Sequence, residues 1–525
     1  MQTVKPLEGN SLRTFWGRLR GAGEVELFGP RGKLPTRGEP DVSVKTTLLV
    51  LAGITVVGLV LRLAVTRGIW LDEAISIFQA NLGLGDMFEN LQGSDRNPPL
   101  HHIALWLTVH VLGDGEFAVR LPSMIAGTLV IPALYLLGRE LYDRRTALIA
   151  AAFAAASPLL VWYSQEARMF AFVTLFGLLA LYTQLRAIRE GGLANWAAYI
   201  LATSALLWSH YFGLLLILVQ QVVFVGVIIH RKRAGEAISP IALGFAYSFA
   251  VLALQLVLLG VFAVEQYNST GAGVGSSPSG TYEDLSFYAV VANVAWALWG
   301  YHPDGITELL AALWPLFLLV SLLLLGRGGS RQTLLLAAAV IVPIVLLLGA
   351  AFIDRELFEV RYFLVVVPLL LLLVARLVTG WLRKPTARYL VAGGVILTLL
   401  LGLADQQLND DNPRLYDFDG ATEEIQAAAG PQSLVVYEPP ALRYVLDYYA
   451  PELPKEPLKD FDVEKSRESP LFVLASFQEN QVFFDRTNKV VGTLSDDFFR
   501  GKPVQELETS QTKVWEFGKP NNPAP

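Results

Sequence analysis

Residues 46–74 read TTLLVLAGITVVGLVLRLAVTRGIWLDEA. The run 46–66 is long enough, at about 1.5 Å per helical residue, to cross a hydrocarbon core. It delivers two adjacent carboxylates, Asp72 and Glu73, to the rim of the membrane. Charge beside hydrocarbon is costly unless it is paired or lines a wet cavity. A span followed at once by paired acids is therefore the unit from which the rest of the chain is read.

Working outward, ten further apolar runs have the length of spans: 118–138, 146–164, 168–187, 194–209, 211–229, 240–263, 307–326, 332–352, 361–379 and 388–404. Two shorter runs, 98–112 and 285–300, carry His101, His102 and His110 or flank a charged turn, and read as interfacial or re-entrant helices. The composition agrees: 525 residues, 53% hydrophobic and 17% charged, with a mean hydropathy of +0.45. That balance excludes an ordinary soluble domain. A net charge of −6 argues against a nucleic-acid partner, which needs a basic face. The absence of cysteine excludes disulfides, thiolate nucleophiles and Cys-ligated zinc.

Orientation follows from Lys and Arg. With a cytoplasmic N-terminus, Arg139/Arg144/Arg145, Arg231/Lys232/Arg233 and Arg383/Lys384/Arg388 all fall inside. The outer loops, including the first at 67–117, are rich in acids. Residues 1–45 are polar, basic and interrupted by Gly and Pro, so they read as a mostly disordered cytoplasmic tail, neither signal peptide nor span. Within them Leu12, Phe15, Trp16 and Leu19, beside Arg13, Arg18 and Arg20, have the spacing of a segment that could lie on a membrane surface.

Beyond Ala404 the apolar excess stops. Short β-branched or aromatic runs at 433–437, 471–475, 489–494 and 513–517 alternate with helix-like stretches at 421–429 and 441–449. Residues 405–525 thus read as a small extracytoplasmic α/β domain behind a mainly α, polytopic bundle over 46–404 of about eleven spans.

Three outer-face stretches carry candidate chemistry. Asp72 and Glu73 begin a helical segment on which neighbours point about 100° apart, so one can face a cavity while the other pairs or caps. A general base or metal ligand and a helix-start carboxylate held by the dipole are both open for them. In Trp162-Tyr163-Ser164-Gln165-Glu166-Ala167-Arg168, a very short turn leaves Glu166 and Arg168 facing protein or a cavity; the alternative is that they neutralise charge elsewhere in the bundle. Arg361-Tyr362 opens a span, where a guanidinium can hold a phosphate bidentately or merely snorkel. His101, His210 and Arg120 also lie at outer helix ends, Arg120 as a headgroup binder or a helix anchor. There is no H-E-x-x-H, no Walker loop and no dinucleotide fingerprint, so a dedicated zinc site and ATP-driven transport have no support. Gly271–Gly280 is a Gly/Ser-rich outer loop with the composition of a flap or linker.

Together these stretches resemble the GT-C class of membrane glycosyltransferases, most closely bacterial relatives of the protein O-mannosyltransferases and aminoarabinose transferases. The resemblance rests on Asp72-Glu73, Asn97-Pro98-Pro99-Leu100, Arg120-Leu121-Pro122-Ser123, Ser157-Pro158, Tyr163-Ser164-Gln165-Glu166-Ala167-Arg168 and Arg361-Tyr362, in that order on one membrane face. It covers about residues 46–380. It implies a multi-pass protein of the bacterial plasma membrane whose first outer loop holds two surface helices. It also implies transfer of a sugar from a polyprenyl-phosphate donor to a protein, lipid or glycan acceptor, usually with inversion. On that resemblance Asp72 is the general base, Glu73 supports it, and Glu166 assists the site. Arg361, with Arg168 or Tyr362, holds the donor phosphate, and His101, His210, Tyr163 and Arg120 join the substrate-binding set. A divalent metal, if one is used, would fall to Asp72 and Glu166, although the turn has no Asp-x-Asp.

The competing reading is a transporter or flippase of a lipid-linked or small polar solute. It predicts ionisable or helix-breaking residues near the midplane and repeated halves. Here the charges gather on one face and no repeat is found. A third reading, a scaffold presenting the C-terminal domain, predicts that Asp72 and Arg361 are replaceable.

Overall fold

The structure, a computed structural model, describes residues 43–94, 97–270, 331–353, 360–382, 384–409, 417–430, 433–461, 471–476, 488–489, 491–492, 505–509 and 512–517. Residues 1–42 of the expected tail 1–45, the glycine-rich loop 271–280, the interfacial run 285–300 and the span 307–326 lie outside these residues.

Helix α1 (Val44–Leu63) is capped by Ser43, whose hydroxyl accepts the Thr46 N–H at 3.1 Å. The loop 64–70 leads into the segment expected as the first outer loop, which holds three helices where two were expected: α2 (Leu71–Asn81), α3 (Leu84–Ser94) and α4 (Leu100–Leu112). At 13 residues α4 is too short to cross a bilayer. It buries Leu105 and Val109 against its neighbours and exposes Ile103, Leu107 and Val111, as an interfacial helix does.

Then follow α5 (Glu116–Leu141), α6 (Arg144–Ala156), α7 (Pro158–Trp162), α8 (Phe170–Glu190), α9 (Leu193–Ser209), α10 (Gly213–Arg233), α11 (Ser239–Thr270), α12 (Arg331–Ile353), α13 (Val367–Trp381) and α14 (Pro385–Leu408). Among the described residues six helices are long and apolar enough to cross a membrane: α1, α5, α8, α10, α11 over Ser239–Asn268, and α14. Of the other expected spans, 194–209 and 332–352 each fall on one continuous helix, α9 and α12, whereas 146–164 and 361–379 fall on divided pieces. The run 146–164, expected as one helix, breaks at Ser157 because Pro158 has no N–H to continue the ladder and instead begins α7. The run 361–379 starts as a 3-10 turn, Val360–Val365, before α13. Helices α5 and α8 are largely buried, whereas α1, α11 and α14 expose broad apolar faces such as Leu49/Val56/Val60, Leu254/Val257/Val261 and Leu397/Leu401. Such faces suit lipid contact.

After α15 (Phe418–Ala428), a five-stranded sheet forms in the order β2-β1-β3-β5-β4. Its strands are β1 (Leu434–Glu438), β2 (Lys455–Pro457), β3 (Leu471–Ser476), β4 (Gln505–Thr509) and β5 (Thr512–Phe517). Helix α16 (Leu442–Tyr449) lies between β1 and β2 in sequence. β1 runs parallel to β2 and β3, and β5 antiparallel to β3 and β4. Of the expected strand at 489–494, the described residues 489, 491 and 492 are helical.

Strand alternation divides the sheet's apolar residues between two cores. Val436, Val473 and Trp515 face one. Val435, Tyr437, Phe472, Leu474 and Val514 face the other, which also contains Phe418 and Ile425 of α15 and Leu442, Val445 and Leu446 of α16. This second core runs on without a gap into Ile69, Leu71, Ala74, Ile77 and Ala80 of the first outer segment.

Candidate active site

Helix α2 begins in the manner its sequence predicts. Asp72 and Glu73 occupy the first turn, where negative charge meets the positive end of the helix dipole. The Glu73 carboxylate reaches back to accept the Trp70 N–H at 3.3 Å. The two acids then diverge.

Glu73 is fully buried. Arg120 of α5 grips it bidentately, Nε to Oε1 at 2.9 Å and Nη2 to Oε2 at 3.0 Å, and the Ala167 N–H adds a third bond at 2.8 Å. Burial alone would raise the Glu73 pKa, but the charge and hydrogen bonds of Arg120, with Arg67 and the Ala167 N–H, outweigh it and hold the carboxyl below its usual range. Arg120 also donates to the carbonyls of Arg67 at 3.0 Å and Gly68 at 2.7 Å and to Glu116 at 3.3 Å. Its guanidinium is thus committed to tying α5 to the loop that precedes α2.

Asp72 is partly exposed, and its Oδ2 meets two cations from distant parts of the chain. Arg361, in the 3-10 turn before α13, donates from Nη1 at 2.9 Å. Arg168, in the turn before α8, brings Nη2 to 3.6 Å. Arg168 is aimed by Ser76, whose hydroxyl accepts from Nη1 at 3.0 Å and itself donates to the Asp72 carbonyl at 3.0 Å. The Arg361 guanidinium lies 5.7 Å from the Phe170 ring and 5.9 Å from the Tyr362 ring, within cation–π range. Tyr362 packs on Phe212 at 4.4 Å and His210 at 5.5 Å, so these two site candidates form the aromatic backing of Arg361.

Glu166 sits beside this group, with its Oε1 accepting the Trp162 indole N–H at 2.8 Å and lying 3.6 Å from Arg67. Arg67 stacks 3.4 Å above the Trp162 ring. Burial pushes the Glu166 carboxyl up to about 7; Arg67 and Arg361 oppose this, and Glu73 and Asp72 add to it. The turn 163–169 that carries Glu166 and Arg168 is held by its neighbours. Gln165 donates to the Leu61 and Ala64 carbonyls left over at the end of α1, at 3.2 and 3.1 Å. Ser164 accepts from Arg62 at 3.1 Å and occupies space that a side chain at Gly127 would fill.

The remaining candidates stand further back. His101 is buried, and its Nε2 lies 3.3 Å from the Ser123 hydroxyl, which donates to the Arg168 carbonyl at 2.8 Å. It therefore reaches the site through the backbone of Arg168. Tyr163 is buried with its ring 5.1 Å from that of Phe170. Arg120 is engaged by Glu73 and is not open to a headgroup.

Ser76, Arg67 and Arg62 were not picked out from the sequence, and Ser123 only as part of the Arg120–Ser123 motif. Ser76 had a signal, since it follows Asp72 by one helical turn. Arg62 had one too, as a charge inside an apolar run. It is fully buried and donates to Gly58 O on its own helix at 2.8 Å and to Ala154 O at 3.3 Å, the carbonyl that the missing Pro158 N–H leaves over.

A divalent ion is poorly matched by these residues. Among the described residues no group of three or more His, Asp or Glu side chains could hold a metal, and Asp72 and Glu166 each already face a guanidinium. What the arrangement offers is one partly open carboxylate between two cations, on a scaffold of buried ion pairs.

Residues 96–259 match the family model of dolichyl-phosphate-mannose-protein mannosyltransferases. No curated protein sequence matches the chain. In fold it is similar to ArnT from Cupriavidus metallidurans bound to undecaprenyl phosphate, with a TM-score of 0.50 at 13% identity over 90% of this chain and 98% of that one. The apo form of ArnT gives a TM-score of 0.52 with the same identity and coverage. The chain therefore has a GT-C-like fold, and the resemblance read from its outer-face motifs reappears in both a family model and the architecture.

Proposed function

We propose that this multi-pass membrane protein is a glycosyltransferase that moves a sugar from a polyprenyl-phosphate donor to an acceptor on the extracytoplasmic face, with Asp72 as general base and Arg361 holding the donor phosphate. The observation that carries the reading is the meeting of Asp72, Arg361 and Arg168 at one point on the outer rim. The family match and the fold likeness to a protein that binds undecaprenyl phosphate support it.

The chemistry follows from the charges. Asp72 takes the proton of the acceptor nucleophile as that atom attacks the anomeric carbon. The bond from that carbon to the phosphate oxygen breaks, and its electron pair leaves with the polyprenyl phosphate. A single displacement inverts the anomeric centre. Arg361 and Arg168 stabilise the negative charge that grows on the departing phosphate. Arg361 lies on Asp72 at 2.9 Å. An arriving phosphate competes with that carboxylate for the same guanidinium. Donor binding thus shifts Arg361 toward the phosphate and releases Asp72 when the acceptor is to be deprotonated. Glu73, sealed against Arg120, supports the base by fixing the first turn of α2. The charged groups gather at one end of the bundle, which suits surface chemistry better than passage of a solute.

The test is consumption of a panel of polyprenyl-phosphate sugars by purified protein with membrane extract as acceptor source, beside Asp72→Asn and Arg361→Ala. Consumption of one donor by wild type, its loss in Asp72→Asn, and a raised donor KM in Arg361→Ala are the expected results. Full turnover in both variants would sink the assignment of the site.

A further inference from the structure

The sheet unit after α14 makes a directed contact with the loop that delivers Asp72. Tyr449, the last residue of α16, accepts the Ile69 N–H at 2.6 Å and donates its hydroxyl proton to Glu116 Oε1 at 2.7 Å. Burial and the Glu116 carboxylate hold its phenol well above the usual range, so it remains a donor. The other oxygen of Glu116 meets Arg120 at 3.3 Å, and Arg120 grips Glu73, the neighbour of Asp72. A continuous polar chain therefore runs from α16 through Glu116 and Arg120 to the first turn of α2.

A second observation shows that this approach is close by construction. A Cβ on Gly68 would lie 2.9 Å from the Tyr449 hydroxyl and 2.5 Å from Asp419 Oδ1 of α15. Only a residue without a side chain lets the backbone at 67–69 come this near. Around the polar contact the two parts share apolar packing, with Phe78 and Tyr444 rings 4.9 Å apart and a common buried core. Apolar contact is non-directional and holds surfaces together without setting angles. A hydroxyl bonded on both sides defines where the loop stands, to the tolerance that catalysis requires.

Resting on the reading of Asp72 as the base, we propose that Tyr449 is a positioning residue, through which the C-terminal sheet unit fixes loop 64–70 and the start of α2 so that Asp72 is held at the acceptor. The sheet unit is then part of the catalytic framework.

The test uses the full-length protein in detergent or nanodiscs with Tyr449→Phe, which deletes only the hydroxyl. Tyr448→Phe is the control: it removes a bond to the Asp114 carbonyl and leaves 67–69 untouched. Amide hydrogen exchange at Ile69 and across 70–74 should quicken about tenfold or more in Tyr449→Phe, in line with loss of a hydrogen bond and local opening. β1 and β3 should stay protected, and Tyr448→Phe should match wild type. In the transfer assay kcat should fall about tenfold with donor KM unchanged, a split that general destabilisation does not produce. Wild-type exchange at Ile69 in Tyr449→Phe would overturn the proposal, as would an unchanged kcat. If wild type itself consumes no donor, the glycosyltransferase reading fails, and the exchange rates alone decide whether Tyr449 fixes the loop.

Discussion

The two faces of α2 carry neighbouring carboxylates with opposite fates. Glu73 faces inward, sealed by a bidentate arginine, a backbone N–H and the core shared with the sheet unit. Asp72 faces the rim, touched by two arginines that come from elements far apart in the chain. One step along a helix separates an acid committed to structure from one still available to a substrate, because each residue turns the side chain by about 100°. The buried pair on one side keeps the partly exposed pair on the other in register.

The largest way to break this contrast is to exchange the losses. Asp72→Asn should cut sugar transfer by roughly 10²- to 10⁴-fold, the span of a positioned general base, with thermal stability near wild type. Glu73→Ala should do the reverse in kind: it leaves Arg120 buried with its main partner gone, at a cost of about 3–5 kcal/mol. The measurement is the midpoint of thermal unfolding in detergent for each. Adding Arg120→Met to Glu73→Ala should recover part of the loss, since removing both charges is cheaper than stranding one. If Asp72→Asn proved the unstable variant and Glu73→Ala the merely inactive one, the two faces would have been assigned the wrong way round.

Glu166 sharpens the comparison with a pH dependence. Burial raises its carboxyl to about 7 from 4.5. The folded protein then keeps a proton that the unfolded chain has released, so the stabilising effect is full below about pH 4.5 and is lost as the pH rises toward 7. Over that window wild type should lose about 3 kcal/mol that Glu166→Gln keeps. Unfolding midpoints of both proteins at pH 5 and pH 7.5 check this. Parallel curves would mean that Glu166 is ionised throughout, held by Arg67 as firmly as Glu73 is by Arg120.

The same contrast separates what was legible in the sequence from what was not. The apolar runs marked the spans because hydrocarbon tolerates little else, and Asp72, Arg168 and Arg361 were visible as charges placed where charge is expensive. That one of the two acids would pair or cap was foreseen, but the partner of Glu73 was hidden because it lies 47 positions away in α5, and the Tyr449 contact because it joins residues 380 positions apart. Periodicity reports faces, and these links depend on how faces meet. Some failures were local. The run 146–164 was read as one helix on hydropathy, while Pro158 within it broke the backbone ladder. Strand β4, Gln505–Thr509, was missed because Gln-Glu-Leu-Glu-Thr has a single apolar residue and takes its register from β5.

The smallest expected effect falls on Ser76, which shares the face of Asp72 one turn further on. Its hydroxyl receives Arg168 Nη1 and passes a bond to the Asp72 carbonyl, so it orients a cation without touching the reacting atoms in this structure. Ser76→Ala removes that oxygen and leaves the helix intact, since alanine is the better helix former. A hydrogen bond to a charged group is worth about 1.5–3 kcal/mol when lost. Arg168 also remains 3.6 Å from Asp72, which retains part of its orientation. Donor kcat/KM should therefore fall about tenfold, mostly through KM, because the cation serves the donor phosphate. In Asp72→Asn the second substitution should leave the donor KM effect intact and lower kcat no further, since base and phosphate holder act on different parts of the substrate. A Ser76→Ala protein whose kcat falls while KM holds would place Arg168 with the base instead, making α2's outer face a single unit in place of two adjoining roles.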